Sequence, residues 1–217
     1  MNKELATILS ENPRYKSAYY EFLDIHKNNY GKDNTKEELE AFEEYYARDF
    51  LNGIKNQSSE REELIRGERI VIRKANIEDA DFMHAVELDE ENSPWVGNWS
   101  LGWRIAKFGD KDFLQTIIEK EDGTPIGMII FCDLLQLKSK LQLKRIAIME
   151  KGKGYGKEAL YLAQKLAFEV FGTEYFFLGT REHNLRAQSI YKATGFIPAM
   201  PDPCTQFYIT DEDYKNR

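Results

Sequence analysis

Ile146-Ala147-Ile148-Met149-Glu150-Lys151-Gly152-Lys153-Gly154-Tyr155-Gly156-Lys157 opens as an apolar, strand-like run and closes as a basic, glycine-rich turn. Beyond it Ala159, Leu160, Ala163, Leu166, Ala167 and Val170 share one helical face, and Gly172 is placed to end the helix. Strand, glycine turn and helix in that order make a site for an anion. Glycines permit turns that a side chain obstructs and leave backbone N–H groups bare, while the start of a helix presents the positive end of its dipole. Lys151, Lys153 and Lys157 add positive charge. The same order also builds an ordinary strand-to-helix connection, so the loop alone names no ligand. A nucleotide-hydrolysing phosphate loop is excluded, because Lys157 is followed by Glu158 where a Ser or Thr must hold Mg²⁺, and the glycine spacing differs.

Working outward, Tyr175-Phe176-Phe177-Leu178 reads as a buried strand, Leu185 to Ala193 as a short helix stopped by Gly195, and Phe196 to Ala199 with Gln206 to Ile209 as a closing strand pair around Pro201-Asp202-Pro203. Upstream, Leu141 to Met149 is a strand, entered from a turn at Lys138-Ser139-Lys140. Phe113 to Ile118 and Ile126 to Asp133 flank Asp122-Gly123, which predicts an antiparallel hairpin. Ile70-Val71-Ile72-Arg73 is another strand, and Asn76 caps a helix bearing Ala80, Phe82, Met83 and Val86. The stretch from Glu87 to Trp99 has no period and mixes carboxylates with Trp95 and Trp99, which suits a pocket-lining loop or a loop pinned by its tryptophans. Ser100 to Phe108 suggests a short helix. The order from residue 68 implies a mixed α/β or α+β class, helices packed on one sheet.

Residues 1–66 read as a helical extension and 67–217 as the main domain. In the extension, Thr35 and Glu38 form a capping box for a helix with Leu39, Phe42, Tyr46 and Phe50 on one face. An earlier helix runs from Pro13 to about Lys27 with Tyr15, Tyr19, Phe22 and Ile25 as its buried side, and Gly31 and Gly53 fall at expected helix ends. Asn56 to Ser59 is a polar break, and Glu60 to Arg66 a short helix or linker. A homodimer through these helices is an expectation.

The chain has 217 residues, 42% hydrophobic and 13% aromatic, enough for a packed core. A net charge of −7 argues against nucleic-acid or anionic-membrane binding, which need a positive field. Cys132 and Cys204 fit neither a metal knuckle nor a disulfide framework, so no metal is expected and a reducing cytoplasm is the simplest setting. No apolar run reaches signal-peptide length at the N-terminus or membrane-spanning length elsewhere.

Two motifs together resemble the GNAT superfamily of acyl-CoA N-acyltransferases. Lys151-x-x-Gly154-x-Gly156 is similar to the family's pyrophosphate loop, with Lys in place of the usual Arg or Gln. Asn184-x-x-Ala187-x-x-x-Tyr191-x-x-x-Gly195-Phe196 resembles the segment that contacts the pantetheine arm and carries a tyrosine acid. Asn92-Ser93-Pro94-Trp95 before a helix is similar to the branch that includes ribosomal-protein alanine acetyltransferases. The resemblance covers residues 68–210 and implies a central, mostly antiparallel twisted sheet flanked by helices.

It also implies direct transfer of an acetyl group from acetyl-CoA to a primary amine of a small molecule or a protein N-terminus. Ile146, Ala147 and Ile148 on the strand, Lys151, Gly152, Lys153, Gly154, Tyr155, Gly156 and Lys157 in the loop, and Asn184, Ala187 and Tyr191 would bind the coenzyme. An alkylammonium of pKa near ~10 must lose a proton before it attacks, for which Glu87, Asp89, Glu90, Glu91 and Asp133 are available, Glu91 and Asp133 foremost. Tyr191 would serve as acid to the departing thiolate, with Glu87, Glu90, Trp95 and Trp99 on the acceptor side. Gln142 stands where the branch carries a glutamate, and an amide is no base. The other reading is a non-catalytic acyl-CoA-binding or interaction module on the same scaffold.

Overall fold

The computed structural model describes residues 3–30, 33–55, 61–199 and 204–217. Contacts divide the chain into two compact units, one of Met1–Ser59, Asn76–His84 and Trp99–Lys111, the other of Glu60–Ala75, Ala85–Asn98 and Asp112–Arg217. The division does not follow a simple cut at residue 66.

The first unit is helical: α1 (Lys3–Glu11), α2 (Pro13–Tyr30), α3 (Lys36–Lys55), the start of α4 (Ala80–Leu88) and α5 (Leu101–Gly109). Three of the entries are fixed locally. Thr35 and Glu38 exchange hydrogen bonds of 2.7 and 3.2 Å, Asn76 forms a capping box with Asp79, and Ser100 caps α5. The core gathers Leu5, Leu9, Tyr19, Leu23, Tyr46, Phe50, Ile77 and Ile105. Gly53, expected at a helix end, lies inside α3, where a Cβ would strike the carbonyl of Ile105; a Cβ on Gly109 of α5 would strike the Asp49 carbonyl in the same way.

 The contact between these helices therefore depends on side chains that are absent on both sides. Ile25, read as buried, is 43% exposed, because the buried face of α2 runs through Ala18, Tyr19 and Leu23 instead. Gly31 and the polar break at 56–59 lie outside the described residues.

The second unit is mixed α+β. Its strands are β1 (Glu63–Arg66), β2 (Ile70–Lys74), β3 (Phe113–Lys120), β4 (Pro125–Cys132), β5 (Leu141–Ile148), β6 (Tyr175–Arg181), β7 (Ile197–Pro198) and β8 (Cys204–Thr210). They form one eight-stranded sheet in the order β1-β2-β3-β4-β5-β6-β8-β7. Every pairing is antiparallel except β5 with β6, which needs the crossover supplied by α6 (Tyr155–Lys165). Two further helices, α7 (Leu185–Ala193) and α8 (Asp211–Lys215), complete the unit. Ala159, Leu160, Ala163, Leu166 and Ala167 bury the inner face of α6 and its continuation against Ile72, Ile129, Leu141 and Phe176.

Two local expectations are corrected, and a third falls outside the described residues. Residues 63–66, read as helix or linker, are a strand, since Ile65 and Arg66 pair with Ile72 and Val71 and Leu64 and Ile65 pack on the core. Val170 is 59% exposed, because Leu166–Val170 form a π turn, closed by the Phe171 N–H donating to the Leu166 carbonyl, and the wider turn carries Val170 off the buried face. Pro201 to Pro203, read as the bend of the closing pair, lie outside the described residues.

The feature that shapes the sheet is in β5. Ile130 pairs with Arg145 and Phe131 with Leu143, so Lys144 is an extra residue with no partner on β4. On the other edge, β5 pairs with β6 only through Leu141, Gln142 and Leu143. Bulges bend a strand and increase its twist, and this one sits where the two parallel strands part. Leu141 and Leu143 face the core before the bulge; Ile146 and Ile148 face it afterwards. The one-residue slip puts Arg145 and Ala147 on the opposite face. Among the described residues no helix is long and apolar enough to cross a membrane.

Candidate active site

A cavity of about 810 Å³ opens where β5 and β6 part. Leu143 to Ile148 line one wall, Gly179 and Thr180 the other, the glycine turn one end, and Glu90, Glu91 and Trp95 the rim. Among the described residues, β5 beyond Leu143 and β6 beyond Leu178 pair with no strand on that edge, which leaves backbone donors and acceptors beside the cavity.

The turn at 151–157 exposes its backbone at the mouth of α6. Gly152 and Gly154 take φ values of 73° and 84°, which L side chains rarely adopt, and Gly154 is the residue from which α6 starts. A Cβ placed on Gly152 or Gly156 meets nothing within 4 Å, so the backbone there is open to a ligand. The Lys157 N–H already donates to the Gly154 carbonyl at 3.1 Å, while the amides of Tyr155 and Gly156 precede the first turn of intrahelical acceptors and carry the positive end of the helix dipole. These features fit a pyrophosphate.

Arg69, just before β2, braces the turn from outside. Its Nη1 donates to the Lys153 carbonyl at 2.8 Å, its Nε to Glu158 at 2.9 Å, and its guanidinium lies 5.2 Å from the Tyr155 ring centroid. Glu158 also accepts from the Arg69 backbone N–H at 2.8 Å. This residue was not legible beforehand, because its contacts span more than eighty positions of sequence.

Across the cavity, Asn184 caps α7 by accepting from the Ala187 N–H at 3.1 Å. Tyr191 on α7 is 8% exposed, with its ring against Phe196 and Phe207, and burial pushes its hydroxyl pKa up to about 12. At neutral pH it is a protonated donor.

Of the expected coenzyme residues, Ile146, Ala147, Ile148, Lys151, Gly152, Gly154, Tyr155, Gly156, Lys157, Asn184, Ala187 and Tyr191 line the cavity; Lys153 is not among the described residues that do. Glu90 and Trp95, expected on the acceptor side, line it too, as does Glu91, expected as a base. Glu91 lies 3.5 Å from Arg186, and the Trp95 ring 5.3 Å from that of His183, so the loop after α4 meets the segment leading into α7 at two points. Glu87, Asp133 and Trp99 lie elsewhere. Glu87 is fully buried and ion-paired with Arg145, Asp133 adopts φ 69° in the turn after β4 and faces Lys140 at 3.9 Å, and Trp99 stacks under the Arg104 guanidinium at 5.6 Å. Gln142 accepts from the Cys132 thiol at 2.9 Å across β4 and β5. Glu150, overlooked in the sequence, adds a third carboxylate to the cavity lining and pairs with Lys120.

Residues 69–197, more than half of the chain, match the family described as the acetyltransferase (GNAT) domain. No curated protein matches. Solved structures with the same fold include the spermidine N-acetyltransferase of Vibrio cholerae in complex with CoA and spermine, with 16% identity, a TM-score of 0.60, and 68% of this chain and 98% of that one covered. Another is an acetyltransferase (GNAT family) from Bacillus anthracis, with 17% identity, a TM-score of 0.56, and the same coverage of each chain.

Proposed function

The chain belongs to the GNAT acetyltransferase family, and from that premise we propose that it transfers an acetyl group from acetyl-CoA to a primary amine, a cationic small molecule or a protein N-terminus. The observation that carries this reading is the cavity itself, which runs from the glycine turn along the parted strands to Tyr191 and a rim of carboxylates.

Bound at this site, acetyl-CoA supplies an acyl group activated as a thioester. The backbone amides at the start of α6, with Lys157, hold the pyrophosphate. The free edge of β5 offers amides to the pantetheine arm and to the oxygen that gains charge during attack. Glu90 and Glu91 draw in an ammonium, with the Trp95 face beside them. The amine sheds a proton through water to one of these carboxylates, its nitrogen forms the new amide bond, the C–S bond breaks, and the sulfur is left as thiolate.

Tyr191 donates a hydrogen bond to that thiolate. With its own pKa at about 12 against about 8.5 for a thiol, complete proton transfer is uphill, and the contribution is that of a charge-assisted bond, about 1.5–3 kcal/mol. Tyr191→Phe is therefore expected to lower kcat about tenfold to a hundredfold while calorimetric CoA affinity stays within twofold. Unchanged kcat removes Tyr191 from the chemistry. Spermine and spermidine are the first acceptors to assay by thiol release, since the Vibrio cholerae protein is a spermidine N-acetyltransferase solved with CoA and spermine and the rim here is acidic; a protein N-terminus is the second class.

A further inference from the structure

Lys151 heads the glycine turn, where a side chain would be expected to face phosphate, yet its contacts run the other way. Its ammonium donates to Asn92 Oδ1 and to the carbonyl of Ile148, and lies 3.8 Å from Asp89. Asn92, itself only 6% exposed, completes the junction by donating from Nδ2 to the Val86 carbonyl at 2.9 Å and to the Ile148 carbonyl at 3.3 Å. The last turn of α4, the loop after it, the end of β5 and the glycine turn thus meet at one polar point. Burial lowers the Lys151 pKa, and the charges of Asp89 and Glu91 oppose that shift. One turn back along α4, buried Glu87 pairs with Arg145 on β5, so the stem of the same loop is held to the same strand.

We propose that Lys151 is a positioning residue, which fixes the loop carrying Glu90, Glu91 and Trp95 to the end of β5 and leaves the phosphates to the backbone and Lys157. Lysine suits this task. Its three donors diverge from one point and reach an amide oxygen, a carbonyl and a carboxylate together. The proposal rests on the acetyltransferase reading only for the identity of the ligands that enter the cavity.

Lys151→Met keeps the aliphatic stem and removes the donors; Asn92→Ala removes the same tie without touching the glycine turn. Hydrogen exchange by mass spectrometry is expected to show the amides of residues 89–98 exchanging at least tenfold faster in each variant, with the double variant no faster than the singles, as for two halves of one contact. CoA affinity by calorimetry stays within twofold, while KM for spermine in the acetyl-CoA assay rises at least fivefold. Unchanged exchange in the loop, or a tenfold loss of CoA affinity in Lys151→Met, overturns the proposal, the latter making Lys151 a phosphate ligand. Wild-type protein that binds CoA and acetylates no amine refutes the functional reading instead, and the exchange and CoA measurements still decide the role of Lys151.

Discussion

Tyr191 belongs to two surroundings at once, since it lines the cavity where the proposed bond to sulfur would form and its ring packs between Phe196 and Phe207 in the core. Burial raises its pKa from 10.0 to about 12, so the unfolded chain gives up this proton first. Its contribution to stability is complete below pH 10 and is lost as pH rises toward 12. The rate is accordingly expected to show no alkaline decline due to this group up to pH 10, which a kcat profile measures directly. Glu87 marks the opposite case. It was a reasonable acceptor-side candidate from its place among carboxylates, but it is fully buried against Arg145, and Glu87→Ala is expected to cost about 3–5 kcal/mol in urea unfolding by removing an ion-pair partner of a buried guanidinium. Sequence places such a carboxylate near a site; only packing tells whether it faces the ligand.

The glycine turn depends on an element distant in sequence. Arg69 holds the Lys153 carbonyl and Glu158, and through them the direction in which the first amides of α6 point. Arg69→Ala is expected to weaken CoA binding about tenfold, equivalent to one lost charge-assisted hydrogen bond, and to leave KM for acetyl-pantetheine, which lacks the pyrophosphate, unchanged. Equal loss with both donors would show a brace for the whole unit instead. The turn itself was readable because glycine spacing and helix periodicity are local. The parting of β5 and β6 had a local trace too: apolar residues fall at 141, 143, 146 and 148, a period of two with one slip, and the slip is the bulge at Lys144. Arg69 and the Asn92 junction left no such trace, because their partners are brought together only by the sheet.

At the scale of the molecule, the helical unit is not confined to the N-terminal stretch, since it takes in Asn76–His84 and Trp99–Lys111. Amphipathic patterns identified each helix but carried no label for the core it joins. Ile77, Ile105 and Ala106 pack with Leu5, Tyr46 and Phe50, so a chain beginning at residue 61 is expected to bind a hydrophobic dye and to melt at lower temperature than the full chain. A cut at residue 66 that yields a cooperative, dye-free fragment would count against this. The bulge carries a different consequence, one of economy in sequence length. With Lys144 deleted, the strand reads Leu-Gln-Leu-Arg-Ile-Ala-Ile, an unbroken alternation that lets the two neighbouring strands zip together along their full length. Such a shortened protein is expected to keep its melting temperature and to lose calorimetric CoA binding, a loss that a screen selecting for folding alone would pass over.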